Sequence, residues 1–174
     1  MAGPQTDYFR SPDGSVVNNS AVIFTEVDNT KPFTFTAKVQ PEFTETGTYS
    51  AGVIYAYEND THCQKLCFEQ DEYGDHRVVS VRTLGTSDDN NHQAITAPYV
   101  YMRLSSDGTT LGSYFSEDGK IWRMARLYKN DFPEKLLIGI SSQSPKDNEH
   151  TCLFTEVSLT DKPVADFRKG NIAE

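Results

Sequence analysis

Tyrosines at 55, 57, 99, 101 and 114, the cations Lys65, Arg82, Arg103 and Arg123, and the carboxylate Glu69 are the residues whose types could do chemistry together. A tyrosine offers a flat apolar ring with a hydroxyl at its edge, which stacks on a sugar ring and hydrogen-bonds its rim. Cations gathered on one face of a chain with formal net charge −9 point to an anionic group on the ligand, such as a uronate or a sugar phosphate. The plain alternative is a set of cross-strand Tyr, Arg and Glu pairs on a wet sheet.

Glu69 is the residue to test for catalysis. A retaining glycosidase needs two carboxylates about 5–5.5 Å apart, and a Glu-x-Asp-x-x-Glu run on one strand can supply them. Glu69-Gln70-Asp71 begins that run, but position 74 is Gly74, so a second carboxylate would have to come from a loop. Lyase or hydratase chemistry with Glu69, Lys65 or a tyrosine as base stays open, because it needs one tuned proton acceptor beside a cation. No catalytic residue is assigned; in an enzyme the role would fall to Glu69.

Metal and cofactor chemistry find no footing. Cys63 and Cys67 resemble a metal half-site, yet on an extended strand four steps separate them by roughly 13 Å, too far for one zinc ion or one disulfide. With Cys152 they are an odd number, which fits free thiols in a reducing compartment. The histidines at 62, 76, 92 and 150 are read mostly as loop residues. Neither a Gly-rich phosphate loop nor a serine nucleophile elbow is present.

The elements that must position these residues are strands. Apolar residues alternate at period two from end to end, most cleanly over Phe33, Phe35, Ala37 and Val39, and no segment sustains a helical period. Further strands are expected at 21–27, 51–57, 64–69, 77–83, 98–105, 110–116, 121–127, 136–142 and 151–159. Turn-rich stretches such as Ser106-Asp107-Gly108 separate them. Many short strands without helices make a sandwich or barrel.

Register follows from keeping apolar faces together. That rule pairs Leu66 with Val81, Phe68 with Val79, Ile54 with Phe68, and Ala56 with Leu66. In the next hairpin it sets Met102 opposite Ser113, Leu104 opposite Leu111, Val100 opposite Phe115, and Phe115 opposite Trp122. Leu66, Phe68, Val79, Val81, Met102, Leu104, Phe115 and Trp122 are then core. Tyr55, Tyr57, Lys65, Glu69, Arg82, Tyr101, Arg103 and Tyr114 become the candidate ligand-binding surface.

Composition sets the outer bounds. The 174 residues, 37% hydrophobic and 24% charged, suit one domain spanning 1–174 with its own core. The acidic balance without a Lys/Arg cluster argues against a nucleic-acid partner. No run approaches the roughly 20 apolar residues of a membrane span, and the polar start through Asp7 lacks the features of a secretory signal. A cytoplasmic location is expected, with no membrane association.

Several segments, in order, resemble a concanavalin A-like family catalogued as domain of unknown function number 1349, whose fungal members include proteins named for regulation of enolase. They include Asp7-Tyr8-Phe9, Phe33 to Val39, Ala51-Gly52-Val53-Ile54, and Lys65-Leu66-Cys67-Phe68-Glu69. Val78 to Val81 followed by Ser87-Asp88, Met102-Arg103-Leu104, Ser116 to Trp122, and Ile138-Gly139-Ile140 continue the match. The resemblance implies a jelly roll of two curved antiparallel sheets, similar to the sandwich that follows some xylosidase-type catalytic domains. Lys65, Glu69 and Arg103 are its family-matching polar positions. The chain departs from the pattern at Asp89, where an aromatic usually follows Ser-Asp, and before Ala51-Gly52, where an acidic residue is usual. Ser116-Glu117-Asp118-Gly119 with Trp122 also resembles the Asp-box hairpin, a structural turn.

The reading is an all-β, concanavalin A-like sandwich that serves as a non-catalytic carbohydrate-recognising or interaction domain without a cofactor, with an acidic or phosphorylated sugar as the candidate ligand. The alternatives are an enzyme acting on a modified sugar and a protein-binding regulator of a metabolic enzyme.

Overall fold

The computed structural model describes residues 1–146 and 149–172. The chain begins with a short hairpin, β1 (Tyr8–Arg10) and β2 (Val16–Asn18), and continues through β3 (Val22–Asp28), β4 (Phe33–Pro41), β5 (Ala51–Asn59) and β6 (His62–Gln70). It goes on through β7 (His76–Leu84), β8 (Thr86–Ala94), β9 (Val100–Ser106), β10 (Thr110–Ser116), β11 (Arg123–Lys129), β12 (Lys135–Gln143) and β13 (Cys152–Thr160). A five-stranded sheet in the order β11-β10-β9-β4-β13 packs on a six-stranded sheet in the order β3-β12-β5-β6-β7-β8. All pairings are antiparallel. This is a sandwich, one of the two architectures the alternation allowed, in the concanavalin A-like jelly-roll form that the family resemblance implied.

Between the sheets lies a hydrocarbon core. Phe33, Phe35, Ala37 and Val39 of β4, Met102 and Leu104 of β9, and Phe115 of β10 meet Ile54, Ala56, Leu66, Phe68 and Val78 of the six-stranded sheet. Each fully buried large apolar side chain contributes about 1.5–3 kcal/mol, so this layer dominates stability.

A second core occupies the opposite face of the six-stranded sheet. Ala51, Val53, Tyr55, Cys67, Val79 and Val81 are buried there, with Tyr8, Phe9, Val22, Phe24 and Tyr57 packed against them. The hairpin β1–β2 supplies Tyr8 and Phe9 as its cover. A face expected to be open is therefore partly roofed.

That second core corrects the register between β6 and β7. Leu66 pairs with Ser80 and Phe68 with Val78, one residue from the expected alignment. Val79 and Val81 are buried as expected, but on the outer side beside Cys67, while Arg82 turns toward the sheet-sheet interface. The valines at 78, 79 and 81 occur at both parities, and both faces of β7 are buried, so apolar alternation cannot select the register there.

Two other pairings slip by two residues and keep their faces. Ile54 lies opposite Leu66 rather than Phe68, and Met102 opposite Phe115 rather than Ser113. Trp122 is not core: Phe115 pairs with Arg123, and Trp122 stacks on Arg103 with the guanidinium carbon 3.6 Å from its ring. The Asp118 carboxylate fixes this by accepting the Lys120 and Ile121 amides, both at 2.8 Å, the structural turn expected there. Strand β8, Thr86–Ala94, has no alternating apolar face, and as an edge strand it is held by its backbone ladder to β7.

Candidate functional site

The residues gathered in the sequence onto one surface lie in three places. Tyr55, Tyr57, Lys65 and Glu69 belong to the outer face of the six-stranded sheet; Tyr101, Arg103 and Tyr114 to the outer face of the five-stranded sheet; Arg82 points between the sheets. The error is partly the one-residue slip at β7 and partly the assumption that both hairpins share one outer face. In a sandwich the two outer faces look away from each other.

The outer face of the six-stranded sheet carries an open cavity of about 870 Å³. Its floor is Lys65 and Glu69 of β6 with Val79 and Val81 of β7. Asp89 and Asn91 of β8 form one side, Gln143 and the following Pro145 and Lys146 another. The N-terminal segment, with Asp7, Phe9, Asn18 and Asn19, makes the third wall, and Tyr49 and Glu72 stand at the loop end.

Lys65 organises this floor. It is 2% exposed, and its ammonium donates to Asp7 Oδ1 at 2.6 Å and to Gln143 Oε1 at 3.2 Å. Burial opposes the charge, but Asp7 outweighs it and holds the ammonium above its ordinary range. The ion pair thereby ties the N-terminal wall to β6. Asp7 is itself fixed, because its Oδ1 accepts the Tyr8 amide at 2.7 Å and its own amide donates to Asn19 Oδ1 at 3.1 Å.

Glu69 is different. Its carboxylate has no hydrogen-bond partner among the described residues, and it keeps part of its surface on the pocket. Burial, only partly countered by Lys65 and reinforced by Asp7 and Asp89, raises it to about 8. A carboxyl in this state donates a hydrogen bond near neutral pH and recovers its charge when a cation approaches.

Tyr55 and Tyr57 are packed instead of presented. Tyr55 is 0% exposed and meets Tyr8 and Phe24 edge-on, and Tyr57 stacks on Phe24 at 5.0 Å between centroids. Burial pushes the Tyr57 hydroxyl up to about 12. Both belong to the second core.

On the other outer face the chain binds itself. Arg103 donates through Nη1 to the Gly170 carbonyl at 2.6 Å and through Nε to Thr36 Oγ1 at 3.0 Å. Tyr114 donates to the Phe167 carbonyl at 2.8 Å, and Thr34 to that of Lys162 at 2.6 Å. These side chains hold the segment after β13. Tyr101 donates to Glu156 at 3.1 Å beside Lys38, whose ammonium sits 4.0 Å from the Tyr99 ring centre. Arg82 pairs with Asp131 and covers the Tyr128 ring at 4.0 Å.

Asp7, Tyr49, Glu72, Asp89, Asn91 and Gln143 are the pocket residues that patterning missed. Asp7 opens the first family-resembling segment, and Asp89 is the position where the family pattern breaks. The others sit in loops or on strands whose neighbours in space depend on the full topology. Cys63, Cys67 and Cys152 are free thiols, Cys63 and Cys67 lying on the one strand β6. No group of three or more His, Cys, Asp or Glu side chains is arranged to hold a metal among the described residues. No helix is long and apolar enough to cross a membrane among the same residues.

Comparison with curated proteins gives no match. Among solved structures, a functionally unknown protein from Saccharomyces cerevisiae superposes with a TM-score of 0.83 at 24% identity, over 92% of this chain and 86% of that one. A variant of the GH43 protein BlXynB from Bacillus licheniformis gives 0.70 at 13% identity over 92% of this chain, which spans 32% of that protein's length. A polysaccharide lyase family 18 protein, aly-SJ02, gives 0.53 at 14% identity, over 78% of this chain and 74% of that one. At these identities the likeness is one of fold. Since the family described as "Protein of unknown function (DUF1349)" matches residues 1–162, the chain belongs to that family.

Proposed function

We propose that the chain is a saccharide-binding domain whose ligand enters the pocket on the outer face of the six-stranded sheet. The observation that carries this is the pocket itself, about 870 Å³ and lined by amides, hydroxyls and a buried ammonium over a valine floor. That volume lies within the range of small-molecule sites, and amides such as Asn18, Asn91 and Gln143 both donate and accept, as sugar hydroxyls require. The GH43 and polysaccharide lyase neighbours, by their printed names, act on sugars and polysaccharides, which supports the class of ligand.

Acidic sugars fit less well than the cation count of the sequence suggested. Of the cations considered there, only Lys65 lines the pocket, where Asp7 already pairs with it, and Glu72 and Asp89 add negative charge. Calorimetric titration with neutral and acidic oligosaccharides tests the proposal. Asn91→Ala, an exposed change on β8, should weaken binding by about 0.5–1.5 kcal/mol while leaving stability unchanged. Binding of none of them overturns it.

A second reading, proton transfer by Glu69, is favoured by one observation: a carboxyl raised to about 8 beside a buried ammonium is poised near neutral pH. Conversion of a bound oligosaccharide, abolished by Glu69→Gln, would establish it.

A further inference from the structure

Resting on the saccharide reading, we propose that the pocket is a dead end that takes the terminal units of a saccharide chain and not its interior. The observation behind this is the course of the N-terminal strap, residues 6–19, across the outer face of the six-stranded sheet. On the β12 flank Thr6 and Ser144 exchange backbone hydrogen bonds, both at 3.1 Å. Over the middle of the sheet Asp7 meets Lys65 of β6 at 2.6 Å, and Tyr8 lies edge-on to Tyr55 and Tyr57 of β5. On the far flank the Arg10 amide donates to Ser87 Oγ at 2.9 Å and its Nε to the Gly85 carbonyl at 3.0 Å, at the turn into β8.

The strap is thus pinned at both flanks. Its return strand β2 is tied down as well, because Asn18 donates at 3.2 Å to Asp60, the carboxylate that pairs with Arg10 at 3.1 Å. Lifting the strap would expose the apolar underside formed by Tyr8 and Phe9 and break a buried ion pair, so this wall stays down when a ligand arrives.

The pocket lies against that wall. Gln143, Pro145 and Lys146 line it where the strap meets the β12 flank, and Asp89 and Asn91 of β8 line it on the other. Asn91 lies opposite Val79, Glu72 follows the end of β6, and the Tyr49 amide donates to the Gln70 carbonyl at 2.7 Å. The side these three share is therefore the one away from the Arg10 anchor. A chain running through the pocket would need a second exit, and the anchors of the strap stand where that exit would be. Lys65, at the foot of the strap, is reached only by a chain end. The volume of about 870 Å³ holds roughly two or three sugar units. Lys65 suits an end, since its ammonium has three donors for two acceptors, Asp7 and Gln143, and a terminal unit brings a hydroxyl where an interior unit carries a glycosidic linkage.

The test is calorimetry with neutral hexasaccharides of the cello, xylo and malto series, each uncapped, capped at the reducing end as a bulky aryl glycoside, or capped at the other end by a bulky aryl ether. In a series that binds, one capped form should match the uncapped sugar within about twofold, and the other should bind at least about tenfold more weakly. The trisaccharide should already reach the affinity of the hexasaccharide within about twofold. Asn91→Ala should weaken the accepted capped form and the uncapped sugar by the same factor, which ties the capping result to this pocket. Two capped forms bound equally, or an affinity that climbs steadily from three units to six, overturn the dead end and leave the saccharide reading intact. No binding of any uncapped hexasaccharide overturns both readings.

Discussion

Lys65 and Asp7 meet at 2.6 Å across the boundary between β6 and the N-terminal segment, joining the floor of the pocket to its third wall. Lys65→Met would remove one partner of a buried pair and leave the other poorly compensated, a cost of about 3–5 kcal/mol. Asp7→Asn combined with Lys65→Met should recover part of that loss. Chemical denaturation of the two variants checks it, and limited proteolysis should show faster cleavage before β3 in the single variant.

Glu69 gives a pH signature. Its folded-state value, about 8, lies above its ordinary value of 4.5, so between those limits the folded chain binds more protons than the unfolded one. Stability from this group therefore falls as pH rises from roughly 4.5 to 8 and is level beyond. Glu69→Gln should melt at the parent's temperature near pH 4.5 and at a higher temperature near pH 8. Melting curves over that interval read the difference directly.

Gly170 closes the C-terminal segment onto the five-stranded sheet. Its φ is +69°, and a Cβ there would lie 2.4 Å from Cδ1 of Tyr114. Gly170→Ala should therefore destabilise by about 1–3 kcal/mol through overpacking. Hydrogen exchange should rise over 162–170 first, because that segment is held by side chains rather than by a ladder.

Arg103 and Tyr101 separate the two outer faces. Arg103→Ala deletes the bond to the Gly170 carbonyl and the stack under Trp122 and should lower stability by about 1.5–3 kcal/mol. Tyr101→Phe removes an exposed bond to Glu156 and should cost under about 1 kcal/mol. Neither change should alter saccharide affinity, which titration of both variants would read.

Much of the fold was legible because burial alternates along its strands. Phe33, Phe35, Ala37 and Val39 point inward as their spacing requires, and slips of two residues in β5–β6 and β9–β10 leave every face unchanged. Strand β7 was not legible, since valines at both parities satisfy either face. The candidate site was half legible. Lys65 and Glu69 do line the pocket, yet Arg103 and Tyr114 bind the chain's own end, a contact some sixty residues away in sequence that no local pattern encodes. The roof over Tyr55 is hidden likewise, because Tyr8 and Phe9 stand in a hairpin too short to show periodicity.

The most direct test is an amide NMR titration of the chain with a neutral oligosaccharide. Shifts should be confined to residues around Tyr49, Lys65, Glu69, Asp89, Asn91 and Gln143, including the side-chain amides of Asn91 and Gln143. Shifts centred on Tyr101, Arg103 and Tyr114 of the opposite face, or none at saturating ligand, would contradict the placement of a saccharide site in this pocket.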